Sequence, residues 1–148
     1  MNSVLANCRR CLVVDDSAHM IQIVRAVLEA FGMHGIAGER DPKRAFDEFL
    51  ANGADLLIVD YHLGASNGIQ FVARVRNLPD EVKAQVPIVM MTSYTEQSRV
   101  MAARDAGVDA FVRKPITGRE LYIKIAYALT RQMRTGSPAS FRSPFEVA

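Results

Sequence analysis

The sequence predicts an α/β protein with a five-stranded parallel sheet and helices on both faces of that sheet. Five short runs rich in β-branched residues alternate with longer stretches of helical periodicity, and parallel neighbours need such crossover helices. Three of the runs are almost continuously apolar, which is typical of strands covered on both faces. The 148 residues, 49% of them hydrophobic and 23% charged, have the size and apolar content of one packed domain.

The strands are predicted from short apolar runs that end at polar residues or turn signals. The first, third and fourth are CLVVD, DLLIVD and PIVMMT, whereas the second is weaker because glycines surround it. The five predicted strands are residues 11–15, 33–37, 55–60, 87–92 and 109–114.

The helices are predicted from apolar periodicity between recognisable start and stop residues. Ser17 and Thr117 are suited to cap the first and last helices, and Asp41-Pro42 opens the second with a cap residue and a proline at the first position. Gly32 and Gly107 end the first and fourth helices. The five predicted helices are residues 18–31, 42–52, 69–76, 96–106 and 118–129.

The charge distribution separates a balanced domain from a basic tail. The chain has 18 Lys and Arg against 16 Asp and Glu, a net charge of +2 that is too small for a protein whose whole surface grips nucleic acid. Beyond residue 130 there are three arginines and one glutamate: Arg131, Arg134, Arg142 and Glu146. We predict an N-terminal extension over residues 1–8, a domain over 9–130 and a flexible basic tail over 131–148.

The sequence shows no signal peptide and no apolar run of the roughly 20 residues needed to cross a bilayer. Two cysteines, Cys8 and Cys11, do not make a disulfide framework, and we expect a cytoplasmic protein. Their two-residue spacing is found in redox motifs, but a redox pair follows a strand at a helix start, whereas this pair precedes a strand. A zinc site would need two further ligands, and none is evident.

Polar side chains lie at the ends of four of the predicted strands, where ligands bind in open α/β sheets. They are Asp15 and Asp16 at the end of the first strand, Asp60 at the end of the third, Thr92 at the end of the fourth and Lys114 at the end of the fifth. Two carboxylates about 4 Å apart repel by roughly 4 kcal/mol at a typical protein dielectric, so a cation must offset them. Mg²⁺ fits a small set of carboxylate ligands without thiolate or imidazole. A single such aspartate is more often a helix cap, but that explanation does not cover five residues at four strand ends.

This set of groups suits phosphoryl transfer. The metal ion and Lys114 would neutralise the phosphoryl oxygens, and Asp60 would be the nucleophile that becomes an aspartyl phosphate.

The sequence resembles the receiver domain of two-component response regulators, of the stand-alone type found in chemotaxis regulators. The resemblance covers residues 9–130 and is carried, in order on the matching strands, by VVDDS, LLIVDYHLGASNG, VMMTS and FVRKP. It implies a flavodoxin-like sheet of strand order 2-1-3-4-5. Further implications are a histidine kinase or histidine phosphotransfer protein as phosphodonor, a protein as downstream target, and no DNA partner.

The resemblance also implies roles for individual residues. Asp60 is the phospho-acceptor, Asp15 and Asp16 hold Mg²⁺ together with Asp60, and the backbone carbonyl of His62 completes the protein ligands. Lys114 pairs with the acceptor carboxylate and then with the phosphate.

A second group of residues is implied in switching. Thr92 moves toward the phosphoryl group, Phe111 is the aromatic switch residue, and the Lys114–Pro115 bond is cis. Phosphorylation would then bias a two-state equilibrium and change partner binding at the surface of helix 4, strand 5 and helix 5.

The chain departs from the family pattern in the acceptor loop and at the switch position. Leu63-Gly64 replaces the common Met-Pro, which predicts a looser loop. Phe111 replaces the frequent Tyr. We also expect His62 and Tyr94, each two residues beyond a site residue, to slow hydrolysis of the phosphate.

Two other functions remain open from the sequence. A hydrolase with an aspartyl phosphate intermediate would use the same aspartate, metal ion and lysine, although such phosphatases usually have a second Asp where this chain has His62. Alternatively, the arginines and phenylalanines of the tail bind a nucleotide, and the acidic site is vestigial.

Overall fold

The computed structural model of the chain describes residues 3–93 and 97–131. The strands are β1 Cys11–Val14, β2 Ile36–Glu39, β3 Leu56–Asp60, β4 His62–Leu63, β5 Ser66–Asn67, β6 Ile88–Thr92 and β7 Ala110–Arg113. The helices are α1 Ser3–Ala6, α2 Ala18–Ala30, α3 Pro42–Asn52, α4 Gly68–Arg76, α5 Glu81–Ala84, α6 Gln97–Ala106 and α7 Gly118–Arg131.

The main sheet has five parallel strands in the order β2-β1-β3-β6-β7. Since these strands are the five predicted from the sequence, both the α/β class and the order 2-1-3-4-5 are confirmed. No helix among the described residues is long and apolar enough to cross a membrane.

Two hydrophobic clusters, one on each face of the sheet, form the core. Alternate residues of β1 point to opposite faces: Val13 belongs to the cluster with α2 and α7, and Leu12 to the cluster with α3, α4 and α6. All four residues of β1 and all five residues of β3 and of β6 are buried. The polar residues at the carboxyl ends of these strands therefore lie at one edge of a sheet that is covered on both faces.

The predicted helix caps are present in the structure. Ser17 Oγ accepts from the amide of Met20 at 3.2 Å, and Asp41 Oδ1 accepts from the amide of Lys43 at 3.1 Å. Gly32 follows the end of α2 with φ of +90°, a conformation that residues with a side chain rarely adopt.

The second strand starts three residues later than the sequence predicts. Its register is fixed by pairing of Cys11 with Ile36, and Gly38, expected in a loop, lies inside β2. A Cβ atom on Gly38 would lie 2.4 Å from Cγ2 of Ile21 on α2. The glycine that weakens the strand signal is therefore needed for close packing of α2 on the sheet.

Three short elements were not predicted: α1, α5 and the β4–β5 hairpin. Each has two to four residues per segment, too few to show a period in the sequence. Helix α1 lies in the segment predicted as an extension, and it packs against α7 with Leu5 buried. Asp80 caps α5 by accepting from the amides of Val82 and Lys83.

Candidate functional site

The predicted acidic residues come together at the carboxyl edge of the sheet. Val14 of β1 pairs with Val59 of β3. Asp15 and Asp60, the next residue in each segment, are therefore neighbours across this strand pair. Asp15, Asp16 and Asp60 each offer a carboxylate oxygen within 4.8 Å of the others. Asp15 and Asp60 are buried, whereas Asp16 is exposed. The cluster thus has one side that is open to solvent.

Lys114 supplies the ammonium group that the sequence predicted beside these carboxylates. Its Nζ lies 2.9 Å from Oδ1 of Asp60 and 3.3 Å from Oδ2 of Asp15. The Lys114–Pro115 peptide bond is cis, and the Lys114 amide donates to the carbonyl of Thr92 at 2.7 Å. The lysine therefore contacts two carboxylates from two different strands.

Burial sets the protonation behaviour of these groups. It raises the pKa of Asp60 above the usual 3.8, against the opposing effect of the hydrogen bond from Lys114. It also raises the pKa of Asp15, and there the Ser17 amide and Lys114 oppose it. For Lys114, burial acts to lower the pKa, but the bond to and charge of Asp60, together with Asp15, outweigh it and raise the pKa. The ammonium is therefore retained to high pH.

A divalent cation fits this donor set. Three carboxylates and one ammonium leave two negative charges uncompensated when all four groups are ionised. Among the residues that the structure describes, the possible metal ligands in this cluster are carboxylates alone. Hard oxygen donors of this kind, few in number and open to water on one side, suit Mg²⁺.

The two predicted switch residues lie on β6 and β7, the two strands that follow β3 in the order of the sheet. Thr92 is the last residue of β6 and is fully buried. Phe111 on β7 pairs in register with Met90, and its side chain is 9% exposed within the cluster that packs under α3, α4 and α6. Phe111, predicted as the aromatic switch residue, thus occupies a buried position.

The segment after Asp60, where the sequence predicts a looser loop because of Leu63-Gly64, contains a short hairpin. His62 pairs with Asn67 and Leu63 with Ser66, while Gly64 at the turn has φ of +67°. Glycine is the residue that a tight two-residue hairpin turn favours at this conformation. Gly64 therefore permits a defined turn.

The two residues expected to tune phosphate lifetime differ in what the structure shows of them. His62 is exposed at the start of β4, and its ring meets that of Tyr61 edge-on, with 5.2 Å between the ring centroids. Tyr94 lies outside the described residues.

The proposed nucleotide-binding tail is described only at its first residue. Arg131 is the last residue of α7, where its Nε is paired with Asp109 and its Nη2 donates to the carbonyl of Gln85 at 3.2 Å. Arg134 and Arg142 lie outside the described residues.

Cys8 and Cys11 are free and buried. Burial raises the pKa of the Cys8 thiol to about 12 and that of Cys11 well above its usual 9.0. Reactive cysteines have lowered pKa values and access to solvent, so the structure agrees with a packing role for this pair.

Sequence reasoning missed two residues that border the site. Arg40 follows β2, and its Nε donates to the carbonyl of Asp16 at 3.0 Å. Gly68 begins α4, and a Cβ atom there would lie 2.4 Å from the carbonyl oxygen of Asp60. The strand-end rule could have identified Arg40 if the second strand had been placed correctly, whereas no pattern in the sequence marks Gly68.

Comparison with known proteins agrees with this site and fold. A sequence profile described as the response regulator receiver domain matches residues 11–126. The phosphate regulon transcriptional regulatory protein PhoB of Pseudomonas aeruginosa is 29% identical over 136 residues, which cover 92% of this chain and 56% of PhoB. The chain spans about half the length of the curated relatives it matches.

Solved structures show the same fold. A two-component response regulator from Clostridium difficile has 25% identity and a TM-score of 0.74, covering 86% of this chain and 99% of its own. The chemotaxis protein CheY4 of Vibrio cholerae has 24% identity and a TM-score of 0.71, covering 80% of this chain and 96% of its own. With the profile match over most of its length, the chain belongs to the response regulator receiver domain family.

Proposed function

We propose that Asp60 accepts a phosphoryl group from a phosphohistidine on a kinase or phosphotransfer protein, and that the chain then signals through altered protein binding. The observation that carries the proposal is the contact of Lys114 Nζ with Asp60 at 2.9 Å and with Asp15 at 3.3 Å, inside a cluster of three carboxylates. The ammonium of Lys114 contacts both buried carboxylates, so it is placed to stay beside Asp60 when that carboxylate becomes an acyl phosphate.

In the proposed transfer, a carboxylate oxygen of Asp60 attacks phosphorus and the bond from phosphorus to the donor nitrogen breaks. The electron pair of that bond stays on the donor nitrogen, and the imidazole leaves as a neutral group because its other ring nitrogen carries a proton. Lys114 then pairs with a phosphoryl oxygen. Asp15, Asp16, Asp60 and the carbonyl of His62 would hold Mg²⁺, which when bound supplies positive charge to the phosphoryl oxygens.

The output is proposed to involve Thr92, Phe111 and the surface of α6, β7 and α7, which are the fourth helix, fifth strand and fifth helix of the predicted pattern. Thr92 is joined to the phosphate-pairing lysine through the 2.7 Å bond from the Lys114 amide. Phe111 lies next to Val112 on β7 and packs in the core cluster that includes Val100 and Ala103 of α6. A shift of Thr92 toward a phosphoryl group would therefore change how this cluster packs against α6.

The test is incubation with a small acyl phosphate and Mg²⁺, followed by intact mass measurement of wild type, Asp60→Asn and Asp47→Asn. Asp47 is an exposed residue of α3, so its variant controls for the loss of one carboxylate. One phosphate adduct on wild type and Asp47→Asn, absent from Asp60→Asn, supports the proposal. An adduct that persists in Asp60→Asn contradicts it, and sustained hydrolysis of phosphate esters would favour the hydrolase.

A further inference from the structure

Arg40 lies on the opposite side of the acidic cluster from Lys114. It directly follows β2, one edge strand of the sheet, whereas Lys114 directly follows β7, the other edge strand. Asp15 and Asp16 follow β1, and Asp60 is the last residue of β3; both strands lie between these edges. Cations from both edges of the sheet therefore border the same pocket.

The backbone around Arg40 is held in a fixed turn. Oε1 of Glu39 accepts from the amides of Arg40 at 3.1 Å and of Asp41 at 3.3 Å, and the Glu39 carbonyl accepts from the amide of Asp15 at 3.2 Å. These hydrogen bonds hold the end of β2 against Asp15. The backbone of Arg40 is therefore fixed in position relative to the acidic cluster.

The guanidinium group of Arg40 is anchored at one atom and open at the others. Nε donates to the Asp16 carbonyl at 3.0 Å, and among residues 3–93 and 97–131 this is the only hydrogen bond that the structure gives to the side chain. The residue is exposed. A guanidinium has five N–H donors in a planar fork that matches phosphate oxygens, so the two terminal nitrogens are left to face a ligand.

We infer that Arg40 binds the phosphoryl group of the incoming phosphodonor at the solvent side of the cluster, through its terminal nitrogens. This inference rests on the proposed phosphoryl transfer and adds a donor-binding residue to it. Asp16, to which Arg40 is anchored, is the exposed member of the acidic set. Arg40 is exposed as well, so an anionic donor can reach its guanidinium from solvent beside the acidic set.

The competing role for Arg40 is to hold the Asp16 loop in place for metal binding. The two roles predict different effects of Arg40→Gln on Mg²⁺. If Arg40 binds the donor, removal of a positive charge beside the carboxylates leaves Mg²⁺ affinity unchanged or increases it. If Arg40 holds the loop, the same substitution weakens Mg²⁺ binding.

The experiment compares wild type with Arg40→Gln, Arg40→Lys and the matched control Arg44→Gln. Arg44 lies four residues along on α3, with its side chain 78% exposed and 3.9 Å from Asp41. The rate of adduct formation is measured against donor concentration at saturating Mg²⁺, with an acyl phosphate and with phosphoramidate. Mg²⁺ binding is measured separately by titration calorimetry.

We expect Arg40→Gln to lower the apparent second-order rate constant about three- to tenfold with both donors, as the loss of one charge-assisted contact predicts. The reduction should appear as a higher half-saturating donor concentration and shrink as salt is added. Arg40→Lys should recover part of the loss, and Arg44→Gln should match wild type.

A wild-type rate in Arg40→Gln, an equal loss in Arg44→Gln, a loss confined to one donor, or weakened Mg²⁺ binding would overturn the inference. These results differ from failure of the proposed function, in which wild type itself forms no adduct on Asp60.

Discussion

Arg76 of α4 and Asp109, the residue before β7, form an ion pair at the end of the sheet opposite the acidic cluster, with 3.1 Å between Nη2 and Oδ2. Asp109 Oδ2 also accepts from the amide of Ile88 at 2.8 Å, and Oδ1 is paired with Arg131. The remaining donors of Arg76 bind the carbonyls of Gly107, Ala84 and Val86. This network joins α4, α5, β6, β7 and the end of α7.

Asp109→Asn should lower the free energy of unfolding by about 3–5 kcal/mol, because it leaves the buried charge of Arg76 without its partner. The side chain of Asp109 is 5% exposed and that of Arg76 is 18% exposed, so solvent compensates little. Urea unfolding at pH 7, followed by circular dichroism, measures the effect.

The control for this prediction is Asp105→Asn. Asp105 pairs with Arg104 at 3.3 Å on the surface of α6, where the two side chains are 69% and 48% exposed. Such pairs contribute about 0–1 kcal/mol. Equal losses of unfolding free energy in the two variants would show that the buried network contributes no more to stability than the surface pair does.

The cysteines should resist modification as long as the protein is folded. Burial raises the pKa of Cys8 to about 12, so that about one thiol in 10⁴ is a thiolate at pH 8. We expect a disulfide reagent at pH 8 to react with both cysteines at the rate of global unfolding, and immediately in denaturant. Rapid reaction of one cysteine in native buffer would contradict this expectation.

The same raised pKa values predict a loss of stability at high pH. A thiol whose pKa is higher in the folded state contributes its full stabilisation of the folded protein below its unfolded pKa, here 9.0. That contribution is lost as the pH rises through the folded pKa. The free energy of unfolding should therefore fall above about pH 9, and Cys8→Ser should reduce the slope.

The sequence was sufficient for the parts of the site that depend on strand ends. Asp15, Asp60, Thr92 and Lys114 could be assigned to one place because parallel strands share a carboxyl edge. The pairing of Arg76 with Asp109 could not, since 33 residues separate them and both are ordinary charged residues in the sequence. The hairpin after Asp60 was also missed, because Gly64 is a weak signal without knowledge of its φ angle.

Gly68→Ala should slow phosphorylation of Asp60 more than Gly64→Ala does. A Cβ atom on Gly68 would lie 2.4 Å from the Asp60 carbonyl oxygen and 2.9 Å from Cε of Met90, so the backbone at Asp60 has to shift. We expect a loss of about 1–3 kcal/mol in unfolding free energy and a clearly lower rate of adduct formation.

Gly64→Ala is the matched comparison, because the space around Gly64 is open and only its φ of +67° opposes a side chain. It should cost about 1 kcal/mol in stability and leave the phosphorylation rate near that of wild type. A larger rate loss in Gly64→Ala than in Gly68→Ala would refute the argument.

Asp60→Asn should stabilise the metal-free protein at neutral pH. Burial raises the pKa of Asp60 and of Asp15 above 3.8. The contribution of these two groups to the free energy of unfolding is therefore fully present below pH 3.8, and it is lost as the pH rises through their folded pKa values. In a chelator at pH 7, the variant relieves repulsion among three carboxylates, while Lys114 keeps its 3.3 Å contact with Asp15. We expect Tm to rise by about 3–6 °C, which corresponds to about 1–2 kcal/mol.

The pH dependence distinguishes this charge effect from a change in packing. The difference in Tm between Asp60→Asn and wild type should shrink as the pH falls, because the raised pKa of Asp60 makes protonation of this carboxylate in the wild type increasingly complete. Added Mg²⁺ should raise the Tm of wild type more than that of the variant, since the variant lacks one carboxylate ligand. Asp47→Asn should show neither behaviour, and a lower Tm for Asp60→Asn at pH 7 would mean that its bond to Lys114 outweighs the repulsion.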